Sequence, residues 1–249
     1  MKTQIDLNCD LGEGEPLSHT EALMRSISSC NVACGGHFGD EKSMRETAQL
    51  AKRYKIAVGA HPSFPDRANF GRRVQPIDET GLRALLVTQV GALKEVLHGI
   101  GVPLHHVKLH GALYNLVEND ESLARIYVAW AKQKLSGIPL VALADGAVAR
   151  VAKNSGVRVA REFFADRAYN EDGTLVSRSN TGAVLSDVAE ICERVVRAVK
   201  EGRVAAATGK ILPVEAETVC VHGDSPGAAQ IVGKLRTALE AAGVKVRAF

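Results

Sequence analysis

Short apolar runs alternate with longer amphipathic segments along the whole chain. The runs show no clear two-residue alternation, which is typical of strands buried on both faces of a parallel sheet. They predict seven strands, at Gln4–Asn8, Asn31–Cys34, Ile56–Ala60, His106–Lys108, Pro139–Ala142, Val157–Glu162 and Thr218–Val221.

The segments between these runs predict helices, because their apolar residues return to one face at the helical period. These segments are Glu41–Tyr54, Asp78–Ile100, Glu121–Leu135, Asp145–Asn154, Asp187–Glu201 and Ala228–Ala242. Gly202 and Gly243 follow two of them, where a left-handed residue commonly ends a helix. Strand and helix therefore alternate about seven times, which predicts a parallel sheet with right-handed crossovers, either closed into a barrel or open and doubly wound.

Composition narrows the class of protein further. The 249 residues are 46% hydrophobic with a net charge of +3, a composition that excludes a disordered chain. No shift in composition along the chain marks a linker, so we predict one domain over residues 1–249. Charges of both signs are spread along the chain, whereas nucleic-acid binding needs a clustered basic stripe. We therefore expect no nucleic-acid partner.

The cysteines and the N-terminus indicate the cellular compartment. Five cysteines without a C-x-x-C pair favour free thiols, and the start MKTQIDLN has no apolar signal segment. No apolar stretch reaches 18 residues, so we expect no membrane span. These features predict a cytoplasmic protein.

Polar side chains recur just after almost every predicted strand. In parallel α/β folds all these positions open on the same face, which carries the active site in barrels and the ligand crevice in open sheets. Two long loops, His61–Ile77 and Phe163–Ser186, open there too. Four of the eight histidines follow strands in this way: His37, His61, His110 and His222.

Each such residue also has a purely structural interpretation. Asp145 or Asp224 can cap the next helix, and Gly35, Gly36 or Gly111 can serve a tight turn. Recurrence at the same topological position favours a functional site over this interpretation.

The residue types suggest proton transfer or metal binding. Carboxylates beside neutral imidazoles act as general bases or hold a divalent metal, and Lys108, Arg167 and Arg178 can hold an anion or an oxyanion. No G-x-S-x-G nucleophile elbow and no phosphate-binding loop is present. Cys34 at a strand end is either a nucleophile or, more commonly for such a residue, a packed core side chain.

Seven motifs in order resemble the LamB/YcsF family over nearly the whole chain. They are DLNCDLGEG (6–14), NVACGGHFGD (31–40), GAHPSFPDRANFGR (59–72), VKLHGALYN (107–115), EFFADRAY (162–169), LVSRS (175–179) and VCVHGD (219–224). The chain departs from the family pattern at Gly36, Leu109 and Ser177, where we expect a looser backbone at Gly36 and Ser177.

The resemblance implies a distorted seven-stranded parallel (β/α) barrel, similar to those of glycoside hydrolases and deacetylases. It also implies the A component of a 5-oxoprolinase, which opens 5-oxo-L-proline to L-glutamate with ATP and magnesium and with separate B and C subunits. Carried over by position, the catalytic candidates are Asp10, His61, Lys108, His110 and Asp166. The substrate-binding candidates are Asn8, Glu13, His37, Arg67, Tyr114, Glu162, Arg167, Arg178, His222 and Asp224, with Asp6 and Asp40 as further pocket members.

With no phosphate loop on this chain, we expect the partner subunits to phosphorylate the lactam and this chain to hydrolyse it. Asp10 and His61 would activate water, Lys108 and Arg167 would stabilise the oxyanion or phosphate, and Arg178 would bind the substrate carboxylate. These roles are hypotheses.

Two other functions stay open. One is a metal-dependent deacetylase or amidohydrolase acting alone, with the metal among Asp10, His37 and His61. The other is a non-catalytic subunit that binds a small acid. The sequence leaves open whether ATP contacts this chain and whether it forms a homo-oligomer.

Overall fold

The structure is a computed structural model that describes residues 2–224 and 227–249. Its strands are β1 Gln4–Leu11, β2 Ser29–Ala33, β3 Ala57–His61, β4 Leu104–Lys108, β5 Leu140–Leu143, β6 Val159–Phe164, β7 Arg203–Ala205, β8 Ile211–Pro213, β9 Thr218–Val221 and β10 Lys245–Val246. Its α-helices are α1 Leu17–Met24, α2 Glu41–Tyr54, α3 Glu79–Ile100, α4 Gly111–Asn119, α5 Glu121–Lys134, α6 Ala147–Ala152, α7 Val188–Glu201 and α8 Ala228–Ala241.

Seven parallel strands close into a barrel. They pair in the order β1-β2-β3-β4-β5-β6-β9, and β9 pairs back onto β1 with Asp6 opposite Thr218. Helices follow the strands in the predicted alternation, with two of them, α4 and α5, between β4 and β5. The predicted seven-stranded (β/α) barrel is confirmed, and the open sheet is excluded.

The barrel interior is polar, which the sequence interpretation did not anticipate. On β1, Leu7 and Cys9 belong to the hydrophobic core, whereas Asp6, Asn8 and Asp10 are buried and bonded to side chains of other strands. β1 thus alternates with a period of two, contrary to the prediction, because its two faces meet different surroundings.

Local capping explains the sharp ends of the best-predicted helices. The Asp40 side chain accepts from the Ser43 amide and the Ser43 hydroxyl accepts from the Asp40 amide, a reciprocal box that begins α2. Asp78 caps α3, which ends at the left-handed Gly101. Asp40, expected in the pocket, serves this capping role at the surface instead.

Several elements were missed in the sequence. Neither α1 nor α4 has a side-chain N-cap hydrogen bond, so neither carries a start signal. The hairpin β7-β8 and the short β10, which pairs with β1, were also missed.

The cysteine side chains lie mostly in the core, where Cys9, Cys30, Cys34 and Cys220 are buried. All five cysteines are free, and burial raises the pKa of Cys34 to about 12, which disfavours it as a nucleophile. Among the described residues, no helix combines the length and apolarity needed to cross a membrane.

Candidate active site

A cavity of about 780 Å³ opens at the carboxyl ends of the barrel strands, within the size range of small-molecule sites. Ten of the predicted site residues line it: Asp10, Glu13, His61, Lys108, His110, Tyr114, Arg167, Arg178, His222 and Asp224. The convergence expected from the strand-end pattern is therefore present in the structure.

Other predicted residues lie behind this lining or away from it. His37, Glu162 and Asp166 are buried and contact lining residues, and Asn8 is buried behind them, where it donates to Glu162 and Thr218. Arg67 is exposed and donates to the Gly39 carbonyl, outside the cavity lining. Further towards the amino end of β1, Asp6 accepts hydrogen bonds from three hydroxyl groups, those of Ser28, Ser29 and Thr218.

Lys108 occupies the centre of the polar interior. Its Nζ lies 3.1 Å from Asp10 Oδ1, 2.8 Å from Glu162 Oε1 and 3.1 Å from Cys220 Sγ. Burial lowers the pKa of Lys108, but attraction to the two carboxylates outweighs it and holds that pKa well above its usual value. With its three donors engaged, the ammonium orients Asp10 and Glu162, which favours this role over the predicted oxyanion contact.

His61 and His110 meet edge-on above Asp10. The Nδ1 of His61 donates to the Lys108 carbonyl at 2.9 Å, and the Nε2 of His110 donates to the Phe70 carbonyl at 2.9 Å. The remaining nitrogens, His61 Nε2 and His110 Nδ1, are 3.0 Å apart, and Asp10 Oδ2 lies 3.4 Å from His61 Nε2. Burial and then the neighbouring His61 hold the pKa of His110 well below its usual value.

Asp10 is ionised in this setting. Burial raises its pKa, but the electrostatic interactions with the neighbouring His61 and with the Lys108 ammonium outweigh burial, so the pKa lies well below the ordinary value. Asn31 Nδ2 also donates to Asp10 Oδ1 at 2.8 Å, and His106 Nε2 donates to Asn31 Oδ1 at 2.6 Å. The carboxylate is therefore fixed in orientation by side chains from β2 and β4.

His37 and Glu13 form a second pair beside this cluster. His37 Nε2 lies 2.7 Å from Glu13 Oε1, its Nδ1 contacts Ser63 Oγ at 2.8 Å, and its ring stacks on His110 with centroids 3.6 Å apart. Burial and then His61 lower the pKa of His37 to about 3, and burial followed by Asp10 raises the pKa of Glu13 well above its usual value. The pair thus favours a neutral ring and a protonated carboxyl group.

His222 and Asp166 form a third pair, in the segments that follow β9 and β6. His222 Nδ1 donates to Asp166 Oδ1 at 2.9 Å, and the ring stacks near Phe164 with centroids 5.4 Å apart. Burial raises the pKa of Asp166, but attraction to His222 outweighs it and lowers that pKa. A carboxylate that fixes the tautomer of an imidazole in a cavity is the arrangement of an oriented general base or acid.

Arginines supply positive charge to the cavity wall. Arg167 donates to the carbonyls of Val176 at 2.6 Å and Ala183 at 3.3 Å, and burial, followed by repulsion from Arg178, lowers its pKa to about 10. Arg178 is exposed at the same wall, and Arg72 pairs with Asp224 at 2.5 Å. The predicted long loop Phe163–Ser186 brings both Arg167 and Arg178 there.

Four residues of this site were missed in the sequence: Asn31, Ser63, Arg72 and Cys220. Arg72 lies in a recognised motif, so its charge next to a glycine was a usable signal. The other three act through contacts between strands and loops that depend on register, which the sequence does not reveal.

The prediction of a looser backbone at Gly36 is wrong. A Cβ at this position would lie 2.3 Å from Ser63 Oγ and 2.7 Å from Gln89 Oε1, so the turn is tightly packed. Ser63 in turn holds His37, which makes this packing part of the site.

A family model described as the LamB/YcsF family matches residues 5–249. A protein of Pyrococcus furiosus, named as the A component of 5-oxoprolinase, is 45% identical over 246 residues, which are 98% of this chain and 96% of that protein. A protein of the same name from Rhodopseudomonas palustris is 43% identical over 251 residues, covering 99% of this chain and 98% of that one.

Solved structures agree with these matches. The lactam utilization protein of Thermus thermophilus superposes with a TM-score of 0.92 at 40% identity, covering 99% of this chain and 100% of that chain. A peptidoglycan deacetylase of Bdellovibrio bacteriovorus, at 14% identity and a TM-score of 0.50, covers 100% of this chain and 52% of that chain and shares the barrel fold alone.

Proposed function

Because this chain belongs to the LamB/YcsF family, we propose that it performs the hydrolytic half of an ATP-dependent opening of 5-oxo-L-proline to L-glutamate. Relatives at 45% and 43% identity are named as the A component of 5-oxoprolinase, and a solved relative is a lactam utilization protein. In this proposal, separate B and C subunits bind ATP with magnesium and carry out the phosphoryl transfer in the cytoplasm.

The division of labour follows from the chemistry of a lactam. Amide resonance makes its carbonyl carbon a poor electrophile. Transfer of the γ-phosphoryl group of ATP to the lactam oxygen releases ADP and creates a better one. Water then adds to the ring carbon, the C–N bond breaks as the ring nitrogen takes a proton, and a second water displaces phosphate from the resulting acyl phosphate.

The observation that carries the proposal is the oriented pair of Asp166 and His222 in the wall of the cavity. With Nδ1–H held by the carboxylate, the ring offers Nε2 to accept a proton from water and then return it to the ring nitrogen. This geometry favours His222 for proton transfer over the expected choice of His61, whose Nε2 faces His110.

The arginines fit the two anionic groups of an activated substrate. Arg167 is held by carbonyls on one side and lines the cavity, and Arg178 stands beside it. In the proposal Arg167 holds the phosphate and Arg178 the α-carboxylate, since guanidinium groups bind such oxyanions in a bidentate manner.

The test combines the purified chain with its two partner subunits, ATP and 5-oxoproline, and follows glutamate and ADP separately. In His222→Gln we expect glutamate formation to fall roughly 10²–10⁴-fold, the usual contribution of a general base, while ADP still forms in the first turnover. The matched control is His98→Gln, because His98 is exposed near the end of α3.

Each other result identifies a different function. An equal fall of both products in the first turnover would contradict the division of labour. Glutamate formed without ATP or partners would indicate an amide hydrolase acting alone. Weaker substrate binding with unchanged turnover at saturation would indicate a binding subunit.

A further inference from the structure

We propose that Asp10, His61 and His110 hold one divalent transition-metal ion of the zinc type at the floor of the cavity. This site goes beyond the proposed function, whose steps need no metal on this chain. It also differs from the set Asp10, His37 and His61 considered from the sequence, because His37 uses Nε2 on Glu13 and Nδ1 on Ser63.

When His61 and His110 are both neutral, the contact between their facing nitrogens lacks a proton. His61 donates through Nδ1 and His110 through Nε2, in each case to a backbone carbonyl that can only accept. In neutral rings, the facing nitrogens at 3.0 Å therefore both present lone pairs. Such a contact needs a third proton or a cation between the rings.

The spacing of the ligand atoms suits a metal ion. His61 Nε2 lies 3.0 Å from His110 Nδ1 and 3.4 Å from Asp10 Oδ2. Zinc bonds to imidazole and carboxylate measure about 2.0–2.2 Å, which places tetrahedral ligand atoms about 3.3 Å apart. Two of the three separations are thus close to the edge of such a tetrahedron, and the three residues each offer a ligand atom within 4.8 Å of the other two.

The outer shell around these three residues is complete. Histidine ligands of metals almost always donate their other N–H to a carbonyl or a carboxylate, as both rings do here. Asp10 Oδ1 accepts from Asn31 and Lys108, which leaves Oδ2 for the ion. Every ligand is therefore pre-oriented by protein groups.

Charge and access also favour a cation at this place. Lys108 neutralises only one of the carboxylates Asp10 and Glu162, so these three groups carry one net negative charge in a buried place. All three ligands line the cavity, which provides an open fourth position. Three protein ligands with an open position are the pattern of catalytic zinc, which polarises a carbonyl or lowers the pKa of bound water.

The experiment measures metal binding without substrate, ATP or partner subunits, so its outcome is independent of the hydrolytic proposal. Protein stripped with a chelator is titrated with Co²⁺, whose visible absorption reports tetrahedral nitrogen and oxygen ligands, and then with competing Zn²⁺. We expect one ion per chain and a tetrahedral spectrum.

Ligand variants locate the ion. In His110→Gln and Asp10→Asn we expect affinity to fall by more than the roughly 10–100-fold typical of losing an outer-shell partner. His222→Gln is the matched control, since it removes another imidazole of the same cavity, and its affinity should equal that of the unaltered chain. Circular dichroism verifies that each variant is folded.

Two results would overturn the site. One is an unaltered chain that binds neither Co²⁺ nor Zn²⁺ at micromolar concentrations, which would assign the space between the rings to a third proton. The other is a loss in His222→Gln as large as that in His110→Gln, which would place the ion elsewhere.

Discussion

At the scale of single residues, the site depends on charges held out of water. Lys108 is about 2% exposed and Glu162 is fully buried, and they meet at 2.8 Å within the barrel. A buried ion pair adds little net stability over apolar residues, but removing one partner strands the other charge. Lys108 therefore contributes to stability mainly by neutralising buried negative charge from Asp10 and Glu162.

We expect Lys108→Met to lower the free energy of unfolding by about 3–5 kcal/mol, the usual cost of leaving buried charges unpaired. Urea unfolding at pH 7 measures this change. Lys94→Met, at an exposed position of α3, is the matched control and should differ from the unaltered chain by less than about 0.5 kcal/mol.

The double variant Lys108→Met with Glu162→Gln should recover part of the loss, because it removes both the cation and one of its carboxylates. Equal free energies of unfolding for Lys108→Met and Lys94→Met would show that burial of the Asp10 and Glu162 carboxylates does not require the Lys108 ammonium.

Residues at strand ends could be identified from the sequence because topology alone brings them together. Asp10, His61, Lys108 and His222 all follow this rule. Asn31 does not, since its contact with Asp10 requires β1 and β2 to pair in one register, with Asp10 opposite Asn31. Such contacts become visible only in the folded chain.

At the scale of elements, the helices with side-chain caps were predicted closely, whereas of the four described helices without one, α6 and α8 were predicted and α1 and α4 were missed. The predicted Glu41–Tyr54 coincides with α2, where a capping box sets the start. α4 begins immediately after His110 with no capping side chain, so no start signal marks it in the sequence. A cap thus marks where a helix begins in the sequence, while α6 and α8 were predicted from their apolar periodicity alone.

Neighbouring strands also constrain each other through residue size. Gly59 of β3 pairs with His106 of β4, and a Cβ on Gly59 would lie 2.1 Å from His106 Nε2. The same nitrogen donates to Asn31, which holds Asp10. Gly59 therefore leaves room for the His106 ring, whose hydrogen bond to Asn31 helps to hold Asp10 in the site.

We expect Gly59→Ala to destabilise the chain by about 1–3 kcal/mol, because the displaced imidazole cannot keep its hydrogen bond. Gly91→Ala is the matched control: Gly91 lies within α3 with no atom near the added methyl, so a gain of up to about 1 kcal/mol is expected. Urea unfolding compares the two. A Gly59→Ala chain as stable as Gly91→Ala would contradict the packing argument.

At the scale of the whole molecule, stability depends on carboxylates distributed over the barrel. The pKa values of Asp10 and Asp166 lie below their ordinary range, since electrostatic interactions and hydrogen bonds with neighbouring side chains, His61 and Lys108 for Asp10 and His222 for Asp166, outweigh the effect of burial. Asp10 lies on β1 and Asp166 follows β6, so protonation affects both sides of the cavity. Protonation of these two carboxylates at low pH therefore lowers the free energy of unfolding through interactions between different strands of the barrel.

For a lowered pKa, the contribution to stability is fully present above the unfolded value near 4 and is lost as pH falls through the folded value. We expect the free energy of unfolding to decline steeply below about pH 4. Asp166→Asn should flatten this decline, while Asp172→Asn, at an exposed loop position, should flatten it less, because Asp172 is solvated. Urea titrations from pH 3 to 7 test this, and equal slopes for the two variants would refute it.

The pairing of β9 with β1 also has a consequence during protein synthesis. The ribosome makes Asp10 well before β9, which completes its surroundings, and before His222 just beyond β9, because strands β2 to β6 lie between them in the chain. Until Val221 has been made, β1 has an open edge and the cavity lacks one wall. A chain whose translation stops before that point lacks the strand that joins β6 to β1, so its barrel cannot close in the observed order and its cavity lacks His222.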